Sequence, residues 1–182
     1  MNIIEELSKK YSGIYSEEQA KNVNSPIGKY TYQPKKGLIE VDGTKISVNL
    51  NEVGGATPTA EPFRIILYLE KFYKTELTIY PKDFWNNLLD FVFPRNKDNI
   101  PIKIRKQFLF KGDQTLIKKL GSNKEFAEHL VDENVYIRTD KKQTDRIVLT
   151  PPHGIKDIYQ FEKYITILKI IEKEIKTGGN IG

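Results

Sequence analysis

The chain contains no cysteine in its 182 residues, which excludes disulfides, thiolate metal sites and cysteine nucleophiles together. Histidine occurs only twice, as His129 and His153, and a catalytic imidazole needs an orienting carboxylate or a nucleophile beside it. Long apolar runs are missing too. The most apolar helical stretch, in the last third, is broken by Lys163, Lys169, Glu172 and Lys173, short of the ~20 apolar residues that cross a bilayer. No integral membrane segment is expected. At the N-terminus acids precede the lysines and no long uncharged run follows, the pattern of an amphipathic helix rather than a signal peptide, so a cytoplasmic location is expected. The spacings of an EF-hand, a His-Glu-x-x-His helix, a phosphate-binding loop, a dinucleotide fingerprint and a Gly-x-Ser-x-Gly elbow are all absent. The sequence therefore offers no catalytic residue, metal ligand or cofactor site.

What it does contain is a folding pattern. Apolar residues make up 38% and aromatics 11%, and long segments carry helix or strand periodicity, so residues 1–177 are expected to form one domain, with a flexible tail at 178–182. Residues 1–11 place Ile3, Ile4 and Leu7 on one helical face and Lys9 and Lys10 on the other. The polar stretch 16–26 reads as an excursion loop. Strands are expected at 29–33, 37–41 and 44–50, the last two joined through Asp42-Gly43, which accommodates the positive φ of a tight hairpin turn. In 44–50, Ile46, Val48 and Leu50 alternate with Lys45, Ser47 and Asn49, so one sheet face should be solvated. Residues 51–61 read as an exposed, mobile lip. Strands follow at 62–70, around the apolar Ile65-Ile66-Leu67 expected near the sheet's middle and covered on both faces, and at 76–80; Asp83 then opens a helix to about Phe93.

The second half begins with a long expected strand over 102–110, alternating through Ile102, Ile104, Phe108 and Phe110. Asp113 is placed to cap a helix buried through Leu116, Ile117 and Leu120 and stopped by Gly121. Ser122 or Asn123 caps a second, buried through Phe126, Ala127 and Leu130. Strands at 135–138 and 146–150 flank a charged loop, the Pro-rich 150–154 forces a turn, and 155–176 forms a long helix with Phe161, Ile165, Leu168 and Ile175 on one side. The fold class that results is α+β: largely antiparallel pairing of about seven to eight strands, with helices packed on one face and a long C-terminal helix.

Charge is concentrated in one place. Residues 101–119 hold six cations (Lys103, Arg105, Lys106, Lys111, Lys118, Lys119) against Asp113, a local excess equal to the +5 of the whole chain. On an alternating strand Lys103, Arg105 and Lys111 share one face, with Lys118 and Lys119 continuing on the next helix, a cluster that could engage phosphate or an anionic lipid surface. The plainer reading is a solvated strand whose lysines blunt a sheet edge. His153 lies four residues before Asp157, which gives either a helix cap or an acid/base pair. His129 falls near a helix end, where it can interact with the last carbonyls.

The L-x-x-K-Y-x-G-x-Y pattern from Leu7 to Tyr15, the strand opening Pro62-Phe63-Arg64, the segment 80–93, and Gln107-Phe108-Leu109-Phe110-Lys111-Gly112-Asp113 followed by 116–130 together resemble a recurrent group of uncharacterised bacterial proteins. Their frequent Gly-Asp-x-x-Phe-Asp element is missing from 96–107. The resemblance implies the same α+β order and transfers no catalytic residue. The functional expectation is a non-enzymatic interaction or scaffold module with a protein partner. A binder of anionic polymer or lipid through Lys103, Arg105, Lys111, Lys118 and Lys119 is the alternative, and an enzyme centred on His153 is the third reading.

Overall fold

The turn at Asp42-Gly43 has positive φ at both residues, 48° and 73°, the twist that lets antiparallel strands leave a two-residue turn without splaying. The structure is a computed structural model that describes residues 2–25, 28–54, 63–82, 100–140 and 143–178. In chain order its elements are α1 (Ile3–Lys10), β1 (Ile14–Glu17), β2 (Lys21–Ser25), β3 (Gly28–Val41), β4 (Thr44–Gly54), β5 (Phe63–Tyr68), β6 (Leu77–Pro81), α2 (Ile102–Gln107), β7 (Phe108–Gly112), α3 (Gln114–Ser122), α4 (Lys124–Leu130), β8 (Tyr136–Asp140), β9 (Gln143–Thr150) and α5 (Ile158–Gly178). The strands form one nine-stranded sheet in the order β1-β3-β4-β5-β9-β8-β6-β7, with β2 also on β3. All of its pairings are antiparallel. The fold is therefore α+β, as the run of strands and separate helices predicts.

Alternation sorts the sheet into two unlike faces. Ile39, Ile46, Val48, Ile65, Leu67, Ile147, Leu149, Ile137 and Ile79 are buried together with the apolar sides of α1, α3, α4 and α5. Every described strand residue in this core lies on the same face, so the described helices form one layer against it. Gly37 marks where α1 sits closest, since a Cβ there would run into Ser8 and Ile4. The helix caps expected from sequence are in place: Asp113 accepts from the Thr115 and Leu116 N–H groups, and Asn123 from that of Phe126. Among the described residues no helix is long and apolar enough to cross a membrane.

Several boundaries differ from expectation, each for a backbone reason. The stretch 16–26 is not a loop: it supplies the end of β1 and all of β2, both paired to β3. A polar edge strand needs no buried face, only backbone partners, and Thr31 donates to Asn22 across the pair at 2.6 Å. The two strands expected at 29–33 and 37–41 are one, β3, running through Pro34. Proline is tolerated there because β3's outer neighbour changes from β1 to β2 at that point, and the Pro34 carbonyl still accepts from the Glu18 N–H at 2.9 Å.

The supposed lip at 51–61 begins as a continuation of β4 to Gly54, and its remainder lies outside the described residues, as does the helix expected from Asp83 to Phe93. The long strand expected at 102–110 is instead α2 followed by β7. Its partner β6 ends at Pro81, opposite Phe108, so pairing cannot extend back to Ile102. Ile104 and Phe108, both buried, are also spaced for one helical turn, whereas Ile102 is 60% exposed. Finally, α3 continues through Gly121 to Ser122, and β8 and β9 extend into the charged loop expected between them.

Candidate functional site: the open face of the sheet

The face opposite the core is readable residue by residue from the strand register. One continuous row crosses the sheet: Ile14, Leu38, Ser47, Ile66, Val148, Arg138, Thr78 and Lys111. At about 4.8 Å per strand it spans roughly 34 Å. Its β1 end is apolar and accessible, with Ile14 68% and Leu38 37% exposed. Ser47 and Val148 near the middle are buried although no described helix lies over them. Thr78, further along the row, and Thr150, beside it, are buried as well, and the other flanking neighbours include longer side chains.

Those neighbours are cations and tyrosines. The flanking row on one side carries Ser16, Lys36, Asn49 and Arg64, and continues through Thr150, Tyr136, Tyr80 and Leu109. On the other side, Glu40 faces Lys45 and Tyr68 faces Arg146. Tyr80 and Tyr136 meet edge to face with centroids 4.9 Å apart. The Arg146 guanidinium lies 5.7 Å from the Tyr68 ring centre and also pairs with Asp145 at 3.2 Å. The rows carry Lys36, Lys45, Arg64, Lys111, Arg138 and Arg146 together with Glu40, and Asp140 lies two residues beyond Arg138 on β8. The face therefore mixes cations, carboxylates, tyrosines and aliphatic side chains.

Of the cations expected to form a basic patch, only Lys111 lies in these rows. Lys103 and Arg105 are on α2, where two residues' separation turns the chain by about 200° rather than returning it to one strand face. Lys118 and Lys119 are on α3, and Lys119 lies 3.9 Å from Glu174 of α5. The shared strand face that grouped these residues is thus not formed. His153 is exposed and His129 half-buried. Asp157 accepts from the Gln160 N–H at 2.8 Å, so it serves the start of α5 in the capping role that was one of its two expected uses.

A second polar cluster was not foreseen. Glu172 of α5 is 3% exposed, yet its carboxylate accepts from the Thr44 hydroxyl at 3.0 and 3.1 Å and pairs with Lys169 at 2.8 Å and Lys176 at 2.9 Å. Thr44 in turn accepts from Lys169 at 2.7 Å. Burial pushes this carboxyl upward, but the bonds from Lys169, Lys176 and Thr44 outweigh it and hold the group below its usual value. Glu133 behaves likewise: burial is opposed by Lys163 at 2.6 Å, Gln160 at 3.2 Å and Tyr164 at 2.9 Å, with a net downward shift. Beside Glu172 an open groove of about 650 Å³ runs along α5, past Asp42, Glu125 and Glu162. On its wall Glu162 holds Lys10 at 2.5 Å and Tyr11 at 3.1 Å. The only sequence signal for this cluster is an acid set in the buried stripe of an apolar helix.

No family model matches the chain, and no curated protein does. Among solved structures it is similar to the mycobacterial trehalose monomycolate transport factor A, TtfA, with a TM-score of 0.57 and 12% sequence identity over 96% of this chain and 93% of that one. At that identity the likeness shows a shared fold. The α+β arrangement therefore extends beyond this sequence.

Proposed function

We propose that this chain is a non-enzymatic interaction module that binds a partner protein on the open face of its sheet. The observation that carries the reading is the exposed aliphatic pair Ile14 and Leu38, set side by side in the register at the accessible end of a row that no described helix covers. Contiguous exposed apolar surface rimmed by polar groups marks interaction sites, and these two side chains are direct neighbours across β1 and β3. A likeness to a protein designated a transport factor is in keeping with this, and a cytoplasmic setting belongs to the same proposal.

The test is substitution of Ile14 and Leu38 by Asp. Both positions are accessible, so thermal stability should stay within about 0.5 kcal/mol of the parent. A partner that co-purifies from the protein's own cells with the parent should be lost with the double variant. Equal recovery with both would remove the open face from the reading.

A further inference from the structure

We draw no further inference here: the strongest candidate, the open groove of about 650 Å³ along α5 past Asp42, Glu125 and Glu162, carries nothing, since its lining mixes lysines with carboxylates and nothing in the structure shows what would occupy it.

Discussion

Glu172 shows how one side chain joins distant parts of the chain. Its carboxylate lies under α5 and is held by the residue that follows the β3–β4 turn, so Thr44 and Lys169 belong to the same hydrogen-bond set. Replacing Thr44 by Val keeps the shape but removes a bond to a buried charge, at an expected cost of about 1.5–3 kcal/mol by urea denaturation. A loss below about 0.5 kcal/mol would show that the cluster does not depend on the hydroxyl. The pH dependence has a definite sign. The carboxyls of Glu172 and Glu133 are held below 4.5 when folded, so their contribution is fully present above that value and lost as the pH falls through their depressed native range. With Glu172→Gln the protein should be less stable than its parent near neutral pH, and the gap should close on acidification. A gap that is unchanged at about pH 3 would mean that the carboxyl is not held low. None of this network was legible in advance, because Thr44, Glu133 and Glu172 come together only through tertiary packing.

At the scale of elements, legibility followed local rules. The hairpin at Asp42-Gly43, the capped α3 and α4, and the long α5 could be read because a turn dipeptide, an N-cap or a sustained helical period lies wholly within each segment. The stretch 102–110 could not be settled this way, since Ile104 and Phe108 fit a strand or a helical turn and only the end of β6 at Pro81 decides between them. β1 and β2 were hidden because pairing to β3 asks nothing of their side chains. For α5 the expectation is quantitative: Phe161 and Leu168 are fully buried, and either residue changed to Ala should cost about 2–5 kcal/mol in chemical denaturation. Unchanged stability together with a shift in size-exclusion volume would make α5 an assembly surface instead.

The whole molecule is held together by pairings remote in sequence. β5, in the middle of the sheet, pairs with β9, and β6 with β8, so neither half of the sheet closes without strands from the other. Unfolding is therefore expected as one cooperative transition, with far-ultraviolet circular dichroism and tyrosine fluorescence coincident in urea. Two separated transitions would divide the chain into independent units. The same long-range register explains why the open face was invisible in the sequence: Lys36, Arg64, Lys111 and Arg138 come to share one face only once eight strands are in order, whereas the cations clustered at 103–119 are dispersed over α2, β7 and α3. There is also a consequence for biosynthesis. α5, which helps cover the apolar face, is translated after every described strand of the sheet. While a ribosome is still adding those last turns, Ile46, Val48, Ile65 and Leu67 have yet to receive their full cover, and the nascent chain is exposed to aggregation at the face that becomes its interior.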